Sequence, residues 1–105
     1  MKQDKVLSML GIAAKAGLLS SGECQTEKAV KSRQARLVVV ASDASENTKK
    51  AFRDMCAFYH AELVFYGDRE SLGHSIGKEY RSSLAIMDDG LAKAVKKKLA
   101  QATTE

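Results

Sequence analysis

The sequence predicts a small α/β protein in which one sheet lies between two helical layers, and three observations carry that expectation. Five stretches place apolar residues at helical spacing, four short apolar runs separate them, and the two kinds alternate along the chain. With 105 residues there is room for one core, so a single domain over positions 1–105 is expected. There is no proline, no Gly/Ser linker and no internal repeat to divide it.

From Lys5 to Lys15, Val6, Leu7, Leu10, Ala13 and Ala14 form one helical face, and Gly17 supplies a stop. Leu18-Leu19-Ser20 reads as a very short extended segment. Ser20-Ser21-Gly22-Glu23 then fits an S-x-x-E capping box, in which hydroxyl and carboxylate satisfy reciprocal backbone donors at a helix start. A second helix runs to about Arg33, with Ala29, Val30, Cys24 and Thr26 available for burial and one polar side left for a partner.

Leu37-Val38-Val39-Val40-Ala41 has no polar alternation, which predicts a central strand covered on both faces. Thr48, Ala51, Phe52, Met55, Cys56 and Tyr59 form the buried stripe of a third helix. Leu63-Val64-Phe65-Tyr66 is a third strand, and Asp68 caps a short helix containing Leu72 and Ile76. Ser83-Leu84-Ala85-Ile86-Met87 is a fourth strand. Asp88 or Asp89 caps a final helix whose buried edge is Leu91, Val95 and Leu99.

Composition narrows the function. Hydrophobic residues at 45% and charged residues at 29% match an ordinary globular protein, not a disordered one. No run approaches the roughly 18 apolar residues of a membrane span, and the first residues lead into an amphipathic pattern rather than a signal-peptide core. A soluble, cytoplasmic protein with no membrane partner is expected. Cys24 and Cys56 suit neither a disulfide scaffold nor a zinc site, so no metal and no cofactor is expected.

The net charge is +4, and its distribution is uneven. Positions 15 to 53 hold eight basic residues (Lys15, Lys28, Lys31, Arg33, Arg36, Lys49, Lys50, Arg53) against four acidic ones (Glu23, Glu27, Asp43, Glu46), a surplus equal to the whole net charge. Polyanions are favoured partners. Gly22 lets backbone donors at the second helix approach a phosphate or base edge with no Cβ in the way, and the helix dipole favours an anion there. Gln25, Lys28 and Lys31 follow on neighbouring turns. The same residues also suit a solvated helix with a Glu27–Lys31 pair.

Other constellations read more simply. Lys93 and the run Lys96-Lys97-Lys98 suit a solvated helix end. Cys56 falls on the apolar stripe, His74 reads as a surface residue, and Gly73-x-x-x-Gly77 reads as a turn signal rather than a phosphate cradle. No nucleotide-binding or hydrolase motif is present, and no acidic cluster of the receiver type beyond Asp43 and Asp88-Asp89, so no enzyme is expected.

Taken in order, several segments carry a family resemblance: Leu10-Gly11-Ile12-Ala13-Ala14-Lys15-Ala16-Gly17, Ser21-Gly22-Glu23 with Lys28-Ala29-Val30, and the run from Ala35-Arg36-Leu37 through Ala41-Ser42-Asp43-Ala44-Ser45-Glu46-Asn47-Thr48. Leu72-Gly73-His74-Ser75-Ile76-Gly77-Lys78 and Leu84-Ala85-Ile86 complete it over nearly the whole chain. The sequence resembles the ribosomal seven-Ae, thirty-e and Gadd45 superfamily of kink-turn RNA-binding proteins, in particular its short bacterial YlxQ-type branch.

The resemblance implies a three-layer α/β/α sandwich with a four-stranded mixed sheet, and binding of structured, kink-turn-like or ribosomal RNA without catalysis. In kink-turn binders the second helix opens with G-x-N-E-x-x-K, whose Asn and Glu read sheared purine pairs and whose Lys holds the RNA. Gly22 and Lys28 match this pattern, while Cys24 and Gln25 stand at the Asn and Glu positions. The family's second contact is the loop before the last strand, here Gly77-Lys78-Glu79-Tyr80-Arg81-Ser82-Ser83. Tyr80 suits stacking on an unpaired base, and Lys78 or Arg81 suits a phosphate. The expected RNA-binding set is therefore Gly22, Glu23, Gln25, Lys28, Lys31, Lys78, Tyr80 and Arg81, with protein partners in a ribonucleoprotein also expected. The alternative is a protein-interaction module that keeps the fold without specific RNA binding.

Overall fold

The computed structural model describes residues 4–103. Its elements are α1 (Lys5–Lys15), β1 (Leu19–Ser21), α2 (Glu23–Lys31), β2 (Leu37–Val40), α3 (Glu46–Tyr59), β3 (Leu63–Phe65), α4 (Arg69–Ser75), β4 (Ser83–Ile86) and α5 (Asp89–Thr103). The four strands form one sheet in the order β1-β4-β2-β3. β2 pairs parallel with β3, Val40 beside Phe65, while β4 runs antiparallel to both β1 and β2. The mixed sheet expected from the family resemblance is present.

Both faces of the sheet are covered. All four residues of β2 and all four of β4 are buried, so alternate side chains enter two separate helical layers. α2 packs with α3, and α1 packs with α4 and α5. Val38, Val39, Leu84 and Ile86 are fully buried, and removing each such side chain from water contributes roughly 1.5–3 kcal/mol. β3 lies at the sheet edge, which leaves Phe65 38% exposed despite its apolar character.

Side chains cap most helix starts, those at Asp68 and Asp88 as the sequence predicts. The Asp4 carboxylate accepts from the Leu7 N–H at 3.0 Å, Ser45 Oγ from Thr48 N–H at 3.1 Å, and Asp88 from Leu91 N–H at 2.9 Å. Asp68 and Ser71 form a reciprocal capping box, and the Ser71 backbone N–H holds the Asp68 carboxyl below its ordinary range.

Four expectations are corrected. α2 has no capping box: Ser21 is taken into β1 opposite Leu84, Ser20 Oγ donates to Met87 Sδ, and Gly22 becomes the residue preceding the helix with no side-chain bond to it. α2 ends at Lys31, because Arg33 turns into the left-handed region (φ 63°). Cys24 and Ala51 are exposed, since their helices bury narrower stripes than the sequence suggests. Finally, Gly73 lies within α4 rather than at a turn, and it is buried.

Candidate functional site

β1, β2 and β3 point the same way, so the β1–α2 junction, the β2–α3 loop and the β3–α4 loop gather at one end of the sheet. β4 begins at that same end, which brings the α4–β4 loop alongside them. Backbone bonds lace these segments together. Gly22 N–H donates to Ser83 O at 3.0 Å, Ala41 N–H to Ser82 O at 2.9 Å, and Ser42 N–H to Gly67 O at 2.9 Å. Asp43 adds a carboxylate that accepts from Arg69 N–H at 2.9 Å and pairs with its guanidinium at 3.5 Å.

The start of α2 is the open part of this rim. Gly22 has φ 92° and ψ 154°, a conformation that glycine adopts without steric cost, and nothing lies within 4 Å of where a Cβ would stand. With no side-chain cap, the first-turn N–H groups are left to solvent or a ligand, at the positive end of the helix. α2 is anchored underneath by Thr26, fully buried, whose Oγ1 accepts from the buried Ser83 Oγ at 3.3 Å. Glu23, Gln25, Lys28 and Lys31 are exposed on the outward side.

These four are not equivalent. Glu23 accepts from Thr48 Oγ1 at 3.1 Å, tying the first turn of α2 to that of α3. Lys31 is paired with Glu27 at 3.1 Å, so part of its charge is answered locally. Among the described residues, neither Lys28 nor Lys78 has a carboxylate within salt-bridge distance. Arg33 and Arg36, beyond the helix, are engaged elsewhere: Arg33 lies over the Tyr59 ring at 5.7 Å and Arg36 pairs with Asp89 at 3.5 Å.

The α4–β4 loop folds back over α4 because of Gly73. A Cβ there would stand 2.5 Å from the Glu79 carbonyl oxygen and 2.8 Å from the Tyr80 nitrogen, both backbone atoms that cannot yield cheaply. Lys78 N–H donates to Gly73 O at 2.8 Å, closing the contact. Above it Tyr80 stands 62% exposed, and Arg81 reaches across to donate from Nε to Ser21 Oγ at 3.1 Å. The structure thus brings Gly22, Tyr80 and Arg81 into one rim, with Gln25, Lys28 and Lys31 rising along the adjoining helix.

Sequence reasoning missed the contacts that hold this rim together: Gly73 against the Glu79–Tyr80 backbone, Thr26 with Ser83, Thr48 with Glu23, and Asp43 with Arg69. Thr26 carried a signal, as a polar residue at buried spacing on α2. The Asp43–Arg69 contact spans 26 positions and leaves no periodic trace. Among the described residues no group of three or more His, Cys, Asp or Glu side chains is placed to hold a metal ion, and no helix is long and apolar enough to cross a membrane. Cys56 is buried and its thiol is pushed up to about 11, as desolvation favours the neutral form.

Comparison with known proteins gives a consistent set of relatives. A model of the "Ribosomal protein L7Ae/L30e/S12e/Gadd45 family" matches residues 4–96. The "RNA-binding protein YlxQ" of Bacillus subtilis (strain 168) is 39% identical over 84 residues, covering 80% of this chain and 84% of that protein. A protein of the same name from Enterococcus faecium is 35% identical over 94 residues, 90% of each chain. "Large ribosomal subunit protein eL30" of Yarrowia lipolytica is 33% identical over 93 residues, covering 83% of this chain and 82% of its own. Among solved structures, a protein of unknown function from Bacillus halodurans superposes with TM-score 0.89 at 38% identity, covering 93% of this chain and 99% of its own. The Giardia lamblia 15.5kD RNA binding protein shares the fold, with TM-score 0.76 at 19% identity over 99% of this chain and 92% of its own.

Proposed function

The chain belongs to the ribosomal protein L7Ae/L30e/S12e/Gadd45 family, and from that premise we propose that it is a non-catalytic protein that binds structured RNA of kink-turn or ribosomal type. The contact runs along the rim formed by Gly22, Gln25, Lys28 and Lys31 on one side and Lys78, Tyr80 and Arg81 on the other. The single observation that supports this reading best is the uncapped, unobstructed start of α2, beside an exposed tyrosine and two lysines that lack a carboxylate partner among the described residues. Backbone N–H groups and cations there suit phosphate, and the tyrosine ring suits a base that has left its stack. Relatives named as RNA-binding and ribosomal proteins point the same way.

Crosslinking in cells followed by sequencing of the attached RNA tests the proposal without assuming a ligand. Enrichment of RNAs with internal loops, lost when Lys28 and Lys31 are both replaced by Glu, is the expected result. Equal recovery from wild type and the double variant overturns it. The alternative reading, a protein-interaction module, draws on Cys24 and Gln25 at the two base-reading positions. It predicts that the same charge reversals leave capture of a protein partner unchanged.

A further inference from the structure

We propose that Arg81 is a positioning residue, a strut that fixes the direction of Tyr80, and not one of the cations that neutralise phosphate. The proposal rests on the RNA-binding reading for its consequence, but its geometry stands in the free protein. Arg81 Nη1 donates to the carbonyl oxygen of Tyr80 at 2.7 Å, while its backbone N–H donates to Arg69 O at 3.0 Å. Both polar groups of the peptide unit joining Tyr80 to Arg81 are therefore held, one by the guanidinium and one by α4. A peptide plane held at both its C=O and its N–H restricts Tyr80 ψ and Arg81 φ, and so narrows the directions in which the tyrosine side chain can leave the chain.

The other edge of the guanidinium sets where that plane sits. Nε donates to Ser21 Oγ at 3.1 Å, and Ser21 is paired with Leu84 in the sheet immediately before Gly22. Arg81 thus binds the loop to the last residue of β1, one position from the open start of α2. Gly73 supports the same loop from below by admitting the Glu79–Tyr80 backbone. Tyr80 itself stands 62% exposed. Such an arrangement orders the backbone that carries the ring before a ligand arrives, which lowers the ordering cost on binding.

Arginine suits this role in a way lysine does not, since only a rigid planar fork can serve a hydroxyl and a carbonyl from fixed, divergent directions. Lys28 and Lys78, by comparison, are exposed point charges with no carboxylate partner among the described residues. A strut and a phosphate contact make opposite predictions for the charge-conserving replacement.

The test compares wild type with Arg81→Gln, Arg81→Lys, Ser21→Ala and the Ser21→Ala/Arg81→Gln double variant. In the RNA-free protein, amide hydrogen exchange at position 81 should quicken in every variant while the melting temperature stays close to that of wild type. Against a kink-turn hairpin, Arg81→Lys should weaken binding as much as Arg81→Gln, by about three- to tenfold, the scale of ordering one side chain on binding. The salt dependence should keep its wild-type slope, and the double variant should bind no worse than Arg81→Gln alone. Wild-type affinity in Arg81→Lys, a slope reduced by about 0.7–0.9 in Arg81→Gln, or unchanged exchange at position 81 overturns the proposal. Failure of the wild-type protein to bind the hairpin would count against the functional reading, while the exchange measurement still decides the strut.

Discussion

The N–H of Gly22 donates to the carbonyl oxygen of Ser83 at 3.0 Å, so the turn into α2 is fixed to the first residue of β4. One bond thereby joins the two segments that the proposed interface requires, although they stand 61 positions apart by their numbers (83 less 22). Neighbouring contacts repeat the link: Arg81 to Ser21, and buried Ser83 to buried Thr26. The rim is a consequence of sheet topology, since the end where β1 finishes is the end where β4 starts.

Gly73→Ala should cost about 1–3 kcal/mol, the range for forcing atoms into an occupied space, because its Cβ meets the backbone of Glu79 and Tyr80. Thermal unfolding measures the loss. RNA affinity should fall further than that of a control such as Gly17→Ala, whose site is strained (φ 74°) but open.

Lys28→Gln should weaken binding to kink-turn and plain duplex RNA alike and reduce the log-log salt slope by about 0.7–0.9, the contribution of one phosphate. Lys31→Gln should change the slope less, because Lys31 is already paired with Glu27. Titrations at several salt concentrations separate the two.

Gln25→Glu places the family's acceptor at the start of α2. It should lower affinity for duplex RNA by adding a negative charge, yet raise the ratio of kink-turn to duplex binding by about fivefold, the scale by which a charge-assisted hydrogen bond exceeds a neutral one. Competition between the two RNAs reads the ratio directly.

At alkaline pH two buried or half-buried groups matter. Burial raises Cys56 from an ordinary 9.0 to about 11. Burial, then the Asp4 carboxylate that accepts from its hydroxyl at 2.7 Å, raises Tyr66 from 10.0 to about 12. The unfolded chain releases these protons at lower pH than the folded one. The stability they contribute is therefore full below about pH 9 and is lost as pH rises through 11 and 12. Denaturant midpoints should fall across that window. In Asp4→Asn the last tyrosine to ionise should do so at lower pH by ultraviolet absorbance.

Most of the fold is legible in the sequence because helix and strand periods are local. Val38 to Val40 announce a strand covered twice, and Asp68 and Asp88 announce helix starts. The failures share a cause: Ser20 and Ser21 look like a cap because capping is a local pattern, whereas their partners, Met87, Arg81 and Leu84, lie sixty or more positions away. Gly73 misleads for the same reason, its need being a close backbone approach from the loop that follows its helix. Gly22, Lys28 and Tyr80 are legible as candidates, but no local pattern shows that the first and last share a rim; only the family resemblance implies it.

The central claim, that this rim grips structured RNA, is tested most directly by titrating the wild-type protein with a kink-turn hairpin and a duplex of equal length at two salt concentrations. The claim predicts tighter binding to the hairpin and a steep loss of affinity with salt, about 0.7–0.9 in log-log slope for each phosphate engaged. Equal, negligible binding to both RNAs at low salt would contradict it.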